Sequence, residues 1–346
     1  VQKADASSGW SRRQFIGSGL FAAAVAPWLS GCRPINSKDL IVALGWVHNV
    51  EYADLFVAEA RGYFAQEHCH LKVWPGGPNA PQPVIEVAAG QAHMGDAEWM
   101  VLLDAILRGN DFVIIGSIFP VHPGGLMSLA KRPVRTPADL PGARFLVQGP
   151  SERTTIDATF KLNHLPADYQ LVPVGYSPDA LLNDAGDAYY CFVTNQPIVL
   201  ENLGMKRGTD FFVTRMYDLG YKVPSTLLFV ERDTLKRRRP ELVGFLKARL
   251  RGKIDNERDP AYAATLAVDR YGADLGLDFD HELRTNQLQL PLYQTPGSRG
   301  PYWISDDDLR VNMYGAARAS GRTALPDPAS ILDMTLLEEA YASLGI

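Results

Sequence analysis

The stretch "LIVALGWVHNVEYADLFVAEARGYF", residues 40–64, decides the fold. Its first part, "LIVALG" (40–45), is a continuous apolar run rich in β-formers and closed by glycine, the pattern of a strand buried on both faces. Residues 52–65 then place Leu55, Phe56, Ala60, Tyr63 and Phe64 close to helical spacing. A buried strand followed by a short loop and a helix with one apolar face is the opening of an α/β unit.

The same alternation runs outward from there. Strands are expected at 70–74, near "HMGDA" (93–97) and at 112–118, with helices at 84–90 and 98–109. The pattern then restarts, with strands at 143–149, 169–174, 188–194 and 210–213 and helices at 152–163, 178–184 and 197–204. "STLLFVE" (225–231) reads as a strand returning to the first sheet, and helical stretches follow at 240–252, 260–272 and 306–321. Two mostly parallel α/β modules, joined through "GSIFPVHPGG" (116–125) and "DLGYKVPS" (218–225), predict a bilobal molecule with a hinge.

The N-terminal region reads differently. "SRRQFIG" (11–17) places Arg12 and Arg13 ahead of an apolar run, "GSGLFAAAVAPWL", too short for a bilayer span of about 20 apolar residues. Arg12 and Arg13 with Phe15 resemble the twin-arginine export motif, though Gly17 replaces its usual basic residue. "LSGC" (29–32) resembles the bacterial lipobox, in which the cysteine thiol carries the lipid. The expectation is a signal peptide over 1–31, a mature chain tethered to the membrane by lipid on Cys32, a polar tether over 32–39, and a location outside the cytoplasmic membrane. The chain carries a net charge of −5 and the leader +2, which leaves −7 on the rest. A mildly acidic body argues against nucleic acid or an anionic membrane surface as the main partner. With Cys32 assigned to lipid, Cys69 and Cys191 are expected to be separate buried thiols.

Catalytic signatures do not emerge. The sequence has no G-x-S-x-G, P-loop or H-E-x-x-H pattern. His68 and His70 share one face of an expected strand, but two imidazoles fall short of a zinc site, and neither a metal nor a cofactor is expected.

Residues 46–64, with Trp46, Asn49 and "AEARGYF" (58–64), resemble the opening of periplasmic binding proteins of the thiamine-pyrimidine type, related to the nitrate, sulfonate and riboflavin binders of ABC importers. "LKVWPGG" (71–77), "VAAGQAHMGDAEWMVLLDAILRG" (87–109), "TPADLPGARFLVQGP" (136–150) and "DAYYCFVTNQPIVLENLG" (187–204) resemble later segments of the same family in order. The resemblance spans roughly residues 40–250. It implies the type II periplasmic-binding-protein fold: two lobes, each a mixed, mostly parallel sheet flanked by helices, joined by two crossovers. Lobe I is then expected over 40–120 plus 225–346 and lobe II over 121–224. The implied protein is a monomer that holds a small heterocyclic ligand between its lobes, without transforming it, and delivers it to an ABC permease.

Loops at the carboxyl ends of strands face the crevice of such a fold. By that position, Trp46, Asn49, Glu51 and Tyr52 are candidates after the first strand. An indole suits stacking on a flat heterocycle, and Asn and Glu suit pairing with ring nitrogens and amino groups. Some pyrimidine binders carry a histidine near the position of Glu51 and Tyr52; this chain does not. Glu98 and Trp99 follow the strand near "HMGDA". Ser151, Arg153, Tyr176, Thr194, Asn195 and Gln196 follow strands of the second module, and Trp303 comes from a late loop. Three other readings compete. A pyrimidine synthase of similar fold would need a reactive lysine and a cysteine-rich stretch, where this chain has Gln91 and Cys191 alone. A receptor that signals to a membrane kinase would look the same in sequence. A sulfonate or nitrate binder could use Arg153, but Glu51 and Glu98 would repel an anion.

Overall fold

The computed structural model describes residues 38–295 and 297–346. The expected signal peptide with Arg12 and Arg13, and the expected lipid site at Cys32, lie outside the described residues. No helix among the described residues is long and apolar enough to cross a membrane.

Among the described residues, ten strands form two five-stranded mixed sheets. They are β1 (Leu40–Ala43), β2 (Leu71–Trp74), β3 (Met94–Ala97), β4 (Phe112–Phe119), β5 (Gly124–Leu129), β6 (Ala143–Val147), β7 (Tyr169–Pro173), β8 (Ala188–Phe192), β9 (Phe211–Arg215) and β10 (Ser225–Glu231). The first sheet has the order β2-β1-β3-β10-β4 and the second β7-β6-β8-β5-β9. β1 lies parallel to β2 and β3, and β6 lies parallel to β7 and β8. β10 runs antiparallel between β3 and β4, and β5 antiparallel between β8 and β9. Each lobe therefore receives, as an inner antiparallel strand, the first strand to arrive from the other lobe. The chain passes between sheets twice, through residues 120–123 after β4 and through the segment that precedes β10.

Burial explains which runs became inner strands. β1 and β4 are buried at every residue, and β10 at every residue but its last, whereas the edge strand β2 is only partly covered. The helix expected over 52–65 is split into Ala53–Ala60 and Tyr63–Gln66. Gly62 sits between them at φ 72°, a left-handed conformation that ends a helix and that a Cβ would disfavour. Cys69 and Cys191 are both buried and unpaired, and burial pushes each thiol up to about 12.

The larger of two apolar clusters runs continuously from one sheet to the other. It takes in Val42, Met94 and Phe229 of the first sheet, Val121 and Val223 of the crossovers, and Leu126, Phe145 and Tyr190 of the second. A smaller cluster, with Met127, Leu146, Tyr189 and Leu200, fills the other face of the second sheet. C-terminal helices strengthen the connection. Tyr314–Ala319 packs on the second-lobe helix Pro150–Leu162, and His281 Nε2 lies 3.1 Å from Asn195 Oδ1.

Candidate functional site

The loop after β1 is fixed by polar contacts over long sequence distances. The Gly45 N–H donates to Asp96 Oδ1 at 3.0 Å, and the Tyr52 hydroxyl donates to the Asp96 carboxylate at 3.3 Å while accepting from the Trp46 N–H at 3.1 Å. Asn49 caps the short turn Val50–Tyr52 by accepting from the Glu51 N–H at 3.1 Å. The helix Phe279–Gln289 braces that turn from behind: Glu282 Oε2 accepts from the Val50 N–H at 3.0 Å and Gln289 Nε2 donates to the Val50 carbonyl at 2.5 Å. Glu51 is thus presented on a turn whose backbone is bonded from both sides.

Glu98 approaches from the end of β3. It occupies the N-cap position of the helix Trp99–Leu107, yet its carboxylate makes no capping bond. Glu98 Oε1 instead accepts from the Ser225 hydroxyl at 2.5 Å and from the Thr226 N–H at 3.4 Å. Its Oε2 lies 3.8 Å from His122 Nε2, and 39% of its side-chain surface stays open although protein surrounds it. His122 Nδ1 accepts from the Gly124 N–H at 2.8 Å, so Nε2 carries the proton of the neutral ring and points it at Glu98. The Thr226 hydroxyl donates to Glu51 Oε1 at 3.3 Å. Thr226 itself stands at φ 53°, a conformation that costs a β-branched residue about 1–2 kcal/mol.

Three carboxylates therefore gather where the crossovers meet, and burial dominates their chemistry. Desolvation, with Asp96 and Glu98 nearby, pushes Glu51 up to about 8. Desolvation likewise lifts Asp96 to about 7, against the Gly45 hydrogen bond and the Arg249 charge, and it raises Glu98. Burial takes His122 down to about 4, so it is neutral at pH 7. The second lobe contributes Tyr190 and Tyr221, whose phenols are held protonated by burial first and by the nearby Glu98 charge. Beneath Glu51, the fully buried Arg249 is committed to Asp54 by two hydrogen bonds of 2.6 and 2.8 Å.

The candidates read from sequence fall into groups. Glu51 and Glu98 meet through Ser225 and Thr226, with Tyr52 behind them. The Trp46 and Tyr176 rings meet from the two lobes, tilted by 59° with centroids 5.9 Å apart. Asn195 meets His281, Gln196 Oε1 accepts from the Phe192 N–H at 2.9 Å, and Thr194 is buried. Ser151 and Arg153 are exposed at the start of Pro150–Leu162, and Arg153 Nε lies 3.7 Å from Asp157 Oδ2. Trp99 and Trp303 join neither group. Trp99 is fully buried, donates to the Met313 carbonyl at 2.8 Å and stacks on Tyr314. Trp303 packs against Tyr341 of the C-terminal helix, under the Arg299 guanidinium. Sequence reading passed over Asp96, His122, Ser225 and Thr226. The last three lie in or beside the segments expected to cross between lobes, which is the signal that could have found them. A hollow of about 350 Å³ beside the edge strand β2, lined by Asp39, Glu59, His70 and Lys72, touches neither crossover.

Two mixed sheets joined by two crossovers, with polar side chains gathered where the crossovers run, define the two-lobed periplasmic-binding-protein fold. The family model described as "NMT1/THI5 like" matches residues 49–263, well over half of the chain, and the chain belongs to that family. Solved structures agree on the fold. The chain is similar to the periplasmic aliphatic sulphonate binding protein SsuA from Escherichia coli, with TM-score 0.64, 14% identity, and 87% of this chain and 91% of that one covered. It is similar to the alkanesulfonate-binding protein SsuA from Xanthomonas axonopodis pv. citri bound to MOPS, with TM-score 0.58, 16% identity, and 88% and 98% covered. The desulfurization enzyme DSZB shares the fold too, with TM-score 0.58, 13% identity, and 89% and 100% covered. No curated protein matches the chain by sequence.

Proposed function

We propose that this chain is the solute-binding component of an ABC importer, and that it holds a small aromatic heterocycle, such as an aminopyrimidine precursor of thiamine or a flavin, between its lobes. Membership of the NMT1/THI5-like family and a fold shared with binding proteins of import systems support the class. The observation that carries the ligand chemistry is the convergence of Glu51 and Glu98 at the crossovers, with the Trp46 and Tyr176 rings meeting across the lobes. Carboxyl groups pair with ring nitrogens and amino groups, and an indole face can stack on a flat solute. Lobe I over 40–120 plus 225–346 and lobe II over 121–224 are the two bodies that close on it.

A sulfonate is the second reading, favoured by the sulfonate-binding proteins of the same fold. A sulfonate needs a cation, and two arginines of this region are engaged elsewhere: Arg249 bonds Asp54, and Arg153 lies exposed beside Asp157. An enzyme of this fold is the third, since DSZB shares it. A thermal-shift panel of aminopyrimidines, flavins and alkanesulfonates separates the readings. A heterocycle at 100 times its dissociation constant should stabilise the protein by about 2.7 kcal/mol. Trp46→Ala protein should need at least tenfold more of it. Stabilisation by sulfonates alone would reverse the assignment.

The export route is proposed with it. Cleavage ahead of Cys32 and lipidation of its thiol predict a membrane-bound product lacking residues 1–31. Mass spectrometry of the chain from a native host should find diacylglycerol on Cys32, and a soluble product that retains Arg12 and Arg13 would refute the leader.

A further inference from the structure

We propose that Thr226 is the pivot of the second crossover and that Glu51 and Glu98 set its backbone, so that a ligand bound to these carboxylates acts directly on the hinge. Thr226 is a β-branched residue at φ 53°, a strain that persists only where the surroundings over-determine it. The surroundings here are the two cleft carboxylates: Glu98 Oε1 takes the Thr226 N–H and the Ser225 hydroxyl, and Glu51 Oε1 takes the Thr226 hydroxyl. The position is that of a joint. Ser225 pairs with Phe119 and Leu227 with Ser117 in the β4–β10 ladder, while Thr226 between them has no ladder partner. The Ser117 hydroxyl donates to the Ser225 carbonyl at 2.7 Å, which ties to β4 the residue through which the crossover reaches Thr226.

Glu98 also addresses the other crossover, because its Oε2 faces the Nε2 proton of His122 at 3.8 Å. One carboxylate thus contacts both connections between the lobes. It does so in place of capping its own helix, a bond that an N-cap residue commonly makes. A ligand donor that draws on Glu51 or Glu98 competes with the bonds holding Thr226, so occupancy and hinge conformation are linked.

The inference rests on the two-lobed clamp proposed above, and its test needs no ligand. Spin labels at the exposed positions Arg108→Cys in lobe I and Asn183→Cys in lobe II, with Cys32→Ser, report the interlobe distance distribution. Glycine tolerates the backbone of Thr226 without strain. Thr226→Gly should at least double the width of the distribution with no fall in Tm, and Ser225→Ala should widen it less. Widths equal to that of the unsubstituted protein in both variants would overturn the pivot, as would a widening that comes with a lower Tm. A protein that still binds a heterocycle while both variants stay narrow would sink the pivot and leave the clamp standing.

Discussion

Arg249→Met should cost the protein about 3–5 kcal/mol, a fall in Tm of roughly 5–8 °C for a chain of this size. Arg249 and Asp54 are 1% and 0% exposed. The guanidinium spans the carboxylate with Nε at 2.6 Å and Nη2 at 2.8 Å, and the Tyr302 hydroxyl donates to Asp54 Oδ2 at 2.6 Å. Removing the arginine leaves Asp54 as an uncompensated charge inside the core, which is the costly half of breaking such a pair. The double variant Arg249→Met, Asp54→Leu should recover much of the loss, because no buried charge remains unpaired. Urea denaturation of the three proteins checks this. A single-variant loss under about 1 kcal/mol would mean that water reaches the pair. The consequence extends to the site, since the Arg249 charge also holds down the values of Glu51 and Asp96.

Glu51→Gln should weaken a basic heterocycle by one to two orders of magnitude, the loss of a charge-assisted hydrogen bond of about 1.5–3 kcal/mol. The pH profile should identify the group. Burial holds the Glu51 proton up to about pH 8. A weakly basic ligand entering between its own pKa and pH 8 meets a protonated acid and takes that proton, so affinity is level across this window. Above pH 8 a proton must be drawn from solvent, and affinity should fall up to tenfold per unit. Glu51→Gln should lack that upper limb in a calorimetric titration, and an unchanged limb would assign the proton elsewhere. The unliganded protein should show the counterpart. A carboxyl whose folded value is raised from 4.5 to about 8 contributes stability that is full below pH 4.5 and is lost as pH rises through 8. The slope from this group is at most about 1.4 kcal/mol per pH unit, and Glu51→Gln should flatten it.

How far the sequence could be read followed from how each element is stabilised. β1 and β10 are buried almost throughout, so their apolar runs stood out, and "STLLFVE" matches Ser225–Glu231 residue for residue. β5 was invisible because "GGLMSL" begins after a proline with two glycines and reads as a turn. It is a strand because β8 and β9 pair with it on both sides, and a Cβ on Gly124 would come 2.3 Å from the Tyr190 hydroxyl. The helix Phe279–Gln289 gave no apolar period because its buried face is polar: Glu282, Thr285, Asn286 and Gln289. Those side chains brace Val50 and pair Asn286 with Asn256, contacts that only tertiary structure supplies. In the site, position at strand ends singled out Glu51 and Glu98. It also singled out Trp99, one residue further along, which the turn of its helix carries into the core. Asp96, Ser225 and Thr226 owe their place to partners 44 to 175 residues away, beyond the reach of any local pattern.

Native mass spectrometry of the mature protein, offered a mixture of aminopyrimidines, flavins and alkanesulfonates, bears most directly on the claim that two lobes hold a flat heterocyclic solute unchanged. The expected spectrum contains a single one-to-one adduct with a heterocycle, absent from Trp46→Ala protein, and the released compound has the mass it was added with. An adduct confined to sulfonates, or a compound released with altered mass, would contradict it.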